Sequence, residues 1–154
     1  MFRQKNGFRK LAAWAGLFLL LVAAAGCMQL PDTGALETPG DQEPLSGTQW
    51  VLVRLNDREP VPGTEVTLSF EETTAGGSTG CNSFGGDYET GPGGSLSFSE
   101  LTQTLIACEE PEGVMDQESE YLDLLRLAAT YRISGDQLEI QNAAGETVLV
   151  FDRQ

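Results

Sequence analysis

The chain has 154 residues, enough for one domain once a targeting segment is set aside, and its 18 glycines favour a compact fold with many turns. It contains no histidine, which excludes Ser-His-Asp and Cys-His catalysis and histidine-ligated zinc. No lysine follows Cys27, which also excludes Schiff-base chemistry and the lysine of a phosphate-binding loop. We therefore predict a protein with no catalytic residues, no metal and no cofactor.

Charge is distributed unevenly along the chain. Four of the nine Lys and Arg lie in the first ten residues, whereas all 23 Asp and Glu follow Cys27. With five arginines against those 23 acids, the segment after Cys27 carries a formal charge of −18. Such a surface repels phosphate backbones and anionic lipids, which argues against nucleic-acid binding. Solubility is the simplest interpretation of the acidity, and attraction of a cationic partner is the alternative.

The N-terminus has the pattern of a targeting segment. Residues 1–10 are basic, and residues 11–26 form an uncharged, mostly apolar run that ends in small residues. The run is shorter than the roughly 20 residues that a spanning helix needs. A basic start, a short apolar run and small residues at its end predict a signal peptide over residues 1–26.

The end of this segment, Ala24-Ala25-Gly26-Cys27, is similar to a bacterial lipobox, in which a diacylglycerol is attached to the cysteine. It departs from the usual pattern, since most lipoboxes have Leu where this chain has Ala24. Ordinary signal cleavage with Cys27 as an incidental thiol is the alternative. We predict from this motif that Cys27 is lipidated, and two or three acyl chains on it would anchor the protein stably. The protein would then be exported and anchored to a bacterial membrane, facing the periplasm or the extracellular side.

The lipidated cysteine is followed by a flexible acidic linker, and the two together span residues 27–45. Residues 28–45 hold three prolines, two glycines and four acids with little apolar content, a composition typical of a linker. The globular domain is predicted over residues 46–154.

The domain is dominated by apolar residues at a period of two, which is typical of half-buried strands. The pattern predicts an α+β fold, mainly antiparallel β, with about eight short strands and one packed helix. In the middle of the chain, Gly85-Gly86 is interpreted as a turn between two strands. The candidate strands are 50–55, 66–70, 79–84, 87–90, 96–98, 101–107, 131–133, 138–140 and 148–150.

The helix is predicted over residues 111–129, with its apolar stripe packed on the sheet. Glu118 interrupts this stripe. A carboxylate at such a boundary needs a partner, and Arg54, Arg132 or backbone N–H groups are the candidates. We interpret Glu118 as structural, with a functional carboxylate as the alternative.

The densest local signal is the glycine-rich run at 76–86. It does not match a phosphate-binding loop, because no lysine and no helix follow it. Its glycines are better explained by bulges, tight turns and close backbone approach in a curved sheet. No D-x-D-x-D-G calcium loop occurs, and we predict no metal site.

If Cys27 carries lipid, two cysteines remain, Cys81 and Cys108. Two thiols in an exported domain most often form a disulfide, whereas a redox-active pair usually has the Cys-x-x-Cys spacing that is absent here. Closing a loop of about 28 residues would stabilise the fold by roughly 3–4 kcal/mol.

Several segments resemble the motifs of the META domain family, to which the heat-shock protein HslJ belongs. The chain matches the family's opening, L-x-G-T-x-W-x-L, with LSGTQWVL at 45–52, and its GCN-x-(Y/F)-x-G-x-Y segment with residues 80–88. It matches the T-x-x-A-C segment at 101–108 and the M-x-x-E-x-x-(Y/F) helix at 115–121. The motif residues, which we interpret as structural, are Gly47, Thr48, Trp50, Gly80, Asn82, Gly86, Tyr88 and Glu118.

The resemblance implies a barrel-like, cracked or half-open antiparallel sheet that one helix closes, with Cys81 close to Cys108. It implies no catalytic residues. Members are linked loosely to envelope stress, antibiotic tolerance and secretion, and the fold is similar to that of lipid-binding secretion pilot proteins. We therefore expect a lipid-anchored, non-catalytic binding or envelope-maintenance module. The alternatives are a carrier of a small apolar ligand or lipid between helix and sheet, a pilot-like protein, and a module that holds a cationic partner on its acidic face.

Overall fold

The computed structural model describes residues 42–154, which form a closed antiparallel barrel of eight strands with one α-helix. The predicted signal peptide, Cys27 and most of the predicted linker lie outside the described residues. The strands are β1 Gln49–Leu55, β2 Thr67–Phe70, β3 Thr74–Ser78, β4 Ser83–Gly91, β5 Ser95–Gln103, β6 Ala128–Ser134, β7 Gln137–Asn142 and β8 Thr147–Arg153. The helix α1 is Val114–Arg126, and a short 3₁₀ turn spans Pro92–Gly94. Within the described part of the chain, no helix has the length and apolar character needed to cross a membrane.

Each strand pairs with its neighbours in chain order, and β1 pairs with β8 to close the ring. The predicted α+β, mainly antiparallel fold is confirmed, and the sheet is closed rather than cracked or half-open. The seam between β5 and β6 is paired at Ser95–Thr130, whereas the other neighbours share two or more paired positions. Helix α1 connects these two strands and packs beside β5, so it covers the end of the barrel next to the seam.

The interior is filled by the barrel's own side chains. Alternation along the strands turns apolar residues inward, and the helix adds the buried side chains of Tyr121, Leu122 and Leu125. Tyr121 packs edge-on against Phe84 and Phe151, with ring centroids 5.6 and 6.4 Å apart. Burial of one large apolar side chain stabilises a fold by about 1.5–3 kcal/mol. These aromatic contacts occupy the space between helix and sheet.

The segment before β1 also contacts the barrel. The Tyr131 hydroxyl donates to the backbone carbonyl of Glu43 at 3.1 Å, and the Arg153 guanidinium binds the Glu43 carboxylate at 2.6 Å. Leu45 is buried in the core. Residues 42–45, the described part of the predicted linker, therefore pack on the barrel.

The prediction of a turn at Gly85-Gly86 was wrong. Both glycines lie inside the continuous strand β4, the turn lies at 79–82, and strand β3 was missed. The reason is that several of these glycines allow strands to approach closely rather than letting the chain reverse. A Cβ on Gly77 would lie 2.2 Å from the Thr67 carbonyl oxygen, and a Cβ on Gly86 would lie 2.6 Å from the Ser99 carbonyl oxygen. The broader interpretation of the run, as bulges and close backbone approach, is confirmed.

Two further boundaries differ from the prediction. Residues 96–107 do not form two strands: β5 is one strand interrupted by a bulge, where Glu100 has a φ of +53° opposite Gly86. The segment 104–108 has no regular structure. The helix begins at Val114 rather than at residue 111, because Gly113 at a φ of +88° immediately precedes it. Residue 129 belongs to β6.

We predict that Gly77→Ala and Gly85→Ala have opposite outcomes. Alanine at position 77 would force a methyl group into the Thr67 carbonyl, and we expect a loss of at least ~3 kcal/mol in the free energy of unfolding. At position 85 the nearest atom would be 3.7 Å away, so the substitution should change stability by less than ~1 kcal/mol. Urea unfolding followed by tryptophan fluorescence measures both. Equal effects would contradict the packing explanation.

Candidate functional site

The family-motif residues around Glu118 lie at the end of the barrel that α1 covers. Two stretches of chain meet there, the turn at 79–82 and the irregular segment 104–108. A disulfide joins them, between Cys81 and Cys108, with the two Cα atoms 6.1 Å apart. The predicted disulfide is confirmed.

Asn82 holds the two stretches together through its side chain, which is only 2% exposed. Its Nδ2 donates to the Ile106 carbonyl at 2.9 Å and to Glu118 Oε1 at 3.0 Å. Its Oδ1 accepts from the Thr104 hydroxyl at 2.7 Å and from the Ile106 N–H at 2.8 Å. Both amide hydrogens and both lone pairs are therefore used, which fixes the orientation of this side chain.

Glu118 is the centre of the cluster and is 1% exposed. Its Oε2 accepts from the Thr79 hydroxyl and from the Asn82 backbone N–H at 3.2 Å. Besides Asn82 Nδ2, its Oε1 has a longer contact of 3.4 Å with Gln103 Nε2. The partners are thus three neutral side chains, which were not among the predicted candidates, and one backbone N–H, which was. Neither Arg54 nor Arg132, the two arginines predicted as candidates, donates a hydrogen bond to Glu118.

Gln117 continues this network along α1. Its side-chain oxygen accepts from the Val61 N–H at 2.5 Å, and its Nε2 donates to the Thr64 hydroxyl at 3.1 Å. Gly80, with a φ of +98°, passes between Thr64 and Gln117, where a Cβ would lie about 3 Å from each. The helix therefore fastens the β1–β2 loop and the 79–82 turn to each other.

Sequence reasoning missed Thr79, Gln103 and Gln117 as members of this cluster. Gln117 and Glu118 are adjacent polar residues that interrupt the apolar face of the helix, and that interruption was the available signal. Their partners come from distant strands and loops, so no local spacing identified them.

The segment 104–108, which Asn82 and the disulfide hold in place, exposes two large apolar side chains. Leu105 is 88% exposed and Ile106 is 59% exposed. Both were predicted to lie in a strand. They are instead presented on an irregular segment whose backbone is fixed from beneath by Asn82.

The other motif residues lie elsewhere and serve the barrel itself. Gly47, at a φ of +78°, donates its N–H to the Phe70 carbonyl. The Thr48 hydroxyl donates to Leu45 O at 2.5 Å and accepts from Trp50 Nε1 at 2.7 Å. Trp50 is fully buried beneath the Arg153 guanidinium, 4.5 Å from the ring centroid.

Gly86 faces the bulge in β5, and the Tyr88 hydroxyl donates to the Glu71 carbonyl at 2.9 Å. The eight motif residues therefore do not converge on one site. Gly80, Asn82 and Glu118 come together beside the disulfide, and the rest are distributed over the barrel.

The buried polar groups of the described residues are all engaged. Every buried side-chain nitrogen and oxygen in residues 42–154 has a hydrogen-bond partner. Burial raises the pKa of Tyr121 well above its ordinary value, and its hydroxyl donates to the Thr67 carbonyl at 3.3 Å. The same part of the chain has no cluster of three or more Cys, Asp or Glu arranged to hold a metal ion. The arrangement at the Glu118 cluster is suited to holding loops in place.

An open groove of about 530 Å³ lies on the outer surface over β3 and β4. Its floor includes Gly76 and Gly85, and its rim carries the carboxylates of Glu71, Asp87 and Glu100. This groove is separate from the space between helix and sheet.

Comparison with known proteins identifies the family. The model of the META domain matches residues 43–154, the whole of the barrel. The chain belongs to the META domain family. No curated protein matches the chain in sequence.

Several solved structures have a similar fold. An NMR structure of a protein from Burkholderia xenovorans is 28% identical, with a TM-score of 0.59 over 81% of this chain and 97% of its own. A second NMR structure is 23% identical, with a TM-score of 0.57 over 70% of this chain and 90% of its own. A crystal structure of a DUF4847 family protein from Bacteroides vulgatus is 13% identical, with a TM-score of 0.53 over 70% of this chain and 93% of its own. The last two show the fold alone.

We predict that Glu118→Gln destabilises the META domain by about 1–3 kcal/mol, because one carboxylate oxygen becomes an NH₂ group that faces other donors. Urea unfolding gives this value. The matched control on the same helix is Asp123→Asn, whose side chain is 73% exposed and which should cost less than ~0.5 kcal/mol. Equal costs for the two variants would show that the buried cluster does not hold the helix.

We predict that Cys81→Ser/Cys108→Ser lowers the free energy of unfolding by roughly 3 kcal/mol, from the loop that the disulfide closes. The comparison uses a chain that begins at Cys27, so that Cys27→Ser serves as a control that should leave stability unchanged. A loss below ~1 kcal/mol would mean that Asn82 alone fixes the 104–108 segment.

Proposed function

We propose that this META domain is an exported, lipid-anchored and non-catalytic binding module of a bacterial envelope. The observation that carries the proposal is the completeness of the interior. Aromatic side chains fill the space between helix and sheet, and the buried polar groups of the described residues are paired with one another. What remains available for recognition is the outer surface, which is acidic.

Two further observations support export and anchoring. The Cys81–Cys108 disulfide suits an oxidising compartment, since such bonds are rare in the cytosol. The basic start, short apolar run and lipobox-like Ala24–Cys27 supply the route to a membrane. Two or more acyl chains on Cys27 would give stable attachment, and the residues that follow it have the composition of a linker.

The carrier alternative needs a cavity between helix and sheet. Tyr121 occupies that space with its ring against Phe84 and Phe151, so a ligand would have to displace a fully buried side chain. A binding module is therefore favoured over a carrier. A pilot-like role in secretion is a special case of the binding module and rests on the family resemblance.

We expect metabolic labelling with an alkyne-tagged fatty acid to mark the protein at Cys27. The label and the membrane location should both be lost in Cys27→Ser and retained in Cys81→Ser/Cys108→Ser, which leaves the lipobox intact. Fractionation followed by coupling of a fluorescent tag to the alkyne measures both properties.

An unlabelled protein in the culture medium, or an unchanged membrane location in Cys27→Ser, would contradict anchoring. The same preparation distinguishes the carrier. Native mass spectrometry should give the mass of the lipidated chain alone, whereas additional mass that organic solvent releases would favour a bound apolar ligand.

A further inference from the structure

We propose that Leu105 and Ile106 form a fixed apolar knob that docks on an apolar face of a basic protein partner. The proposal rests on the proposed function as a binding module and names its surface and its class of partner. It does not depend on lipidation, which is tested separately at Cys27.

The first argument is exposure. Leu105 is 88% exposed and Ile106 is 59% exposed, and the two are adjacent on one segment. Neither side chain contributes to the core, so the stability of the barrel gives no reason for two large aliphatic residues here. Burial of such side chains at an interface removes apolar surface from water, which is the dominant favourable term in association.

The second argument is rigidity. The backbone N–H and carbonyl of Ile106 both bond to the buried Asn82 side chain, at 2.8 and 2.9 Å. The Thr104 N–H bonds to the Ser83 carbonyl at 3.0 Å, and Cys108 is covalently tied to Cys81. A segment fixed before binding loses less conformational entropy when a partner docks. The Asn82 and disulfide contacts therefore present the knob in one conformation.

The third argument is charge, which selects the partner. Glu109, Glu110 and Glu112 are exposed and follow the knob directly, and no Lys or Arg occurs between Arg58 and Arg126. Like charge repels an anionic bilayer, and it also repels a second copy of this chain. A basic protein surface is attracted, so the fitting partner combines an apolar face with basic side chains beside it.

The test uses residues 28–154 with the disulfide formed. This part contains the complete barrel core, and the similar Burkholderia structure is matched over 97% of its own chain, so the domain folds without further sequence. The probe is a synthetic amphipathic helical peptide with leucines on one face and lysines on the other. Two reference peptides replace every lysine by glutamate or every leucine by serine. Methyl NMR of labelled Leu and Ile follows each titration.

We expect the Leu/Lys peptide to bind with a Kd on the order of 10–100 µM and to shift the Leu105 and Ile106 methyl signals. Leu105→Ser/Ile106→Ser should weaken binding by at least ~10-fold. The matched control is Leu127→Ser, since Leu127 is 60% exposed and away from the knob in sequence, and it should change Kd by less than ~2-fold. Both reference peptides should bind more weakly than the Leu/Lys peptide.

Charge is tested by a second pair of variants. The first variant neutralises the acids beside the knob, Glu109→Gln/Glu110→Gln/Glu112→Gln, and should weaken peptide binding several-fold and reduce its salt dependence. The control neutralises three exposed acids distant in sequence, Glu65→Gln/Glu72→Gln/Glu89→Gln, and should have less effect on peptide binding.

Four results would overturn the proposal. The first is the absence of saturable binding up to about 1 mM peptide, and the second is equal affinity of the peptide for the Leu105→Ser/Ile106→Ser variant and the Leu127→Ser control. The third is tighter binding of the domain to phosphatidylglycerol vesicles than to the peptide. The fourth is dimerisation of the domain that Leu105→Ser/Ile106→Ser abolishes. None of them affects the labelling of Cys27, so failure of this inference is distinguishable from failure of the anchoring proposal.

Discussion

The buried carboxylate of Glu118 is the interaction on which the helix end of the barrel depends. Burial of a carboxylate costs several kcal/mol unless its oxygens are hydrogen-bonded, and here neutral side chains and one backbone N–H supply the donors. These donors come from the 79–82 turn and from strand β5, so satisfying the carboxylate requires both to be in place. The helix therefore docks in one position, although apolar packing alone would permit several.

The position of the helix matters because α1 bridges the least paired seam of the barrel. Strands β5 and β6 share the paired position Ser95–Thr130, and the helix runs from one to the other. Tyr121 then reaches into the core against Phe84 and Phe151. The polar cluster sets the orientation, and the buried side chains of Tyr121, Leu122 and Leu125 supply apolar burial. Closure of the sheet thus combines strand pairing at all eight boundaries, of which β5–β6 is the least paired, with packing of the helix beside β5.

The parts of the fold that the sequence predicted well are those with strict periodicity. Strands β6 and β7 alternate apolar and polar residues over much of their length, β8 contains the apolar run 148–151, and clear turns separate the three, so they were placed within a few residues. The glycine-rich run at 76–86 was misassigned, because glycine carries no hydropathy period and serves equally in turns and at close strand contacts. Gly77 shows the difference: its backbone lies against the Thr67 carbonyl, a partner ten residues away that only the folded sheet reveals.

The candidate site was predicted in part, because only some of its residues stand out in a local sequence pattern. The interruption of an apolar stripe identified Glu118, and cysteine counting identified the disulfide. The donors to Glu118 and the exposure of Leu105 depend on contacts between distant segments. Leu105 and Ile106 have the composition of a strand, and what keeps them out of one is the amide of Asn82, which occupies the Ile106 backbone N–H and carbonyl.

Closure of the barrel between β1 and β8 has a consequence for aggregation. An open sheet ends in strands whose unpaired N–H and C=O groups can pair with another molecule, and natural proteins must protect such edges. In residues 42–154, a ring joined from Trp50–Arg153 to Leu55–Leu149 leaves no terminal strand of that kind. Crowded copies of the barrel therefore find no such strand to serve as a template for strand-to-strand aggregation.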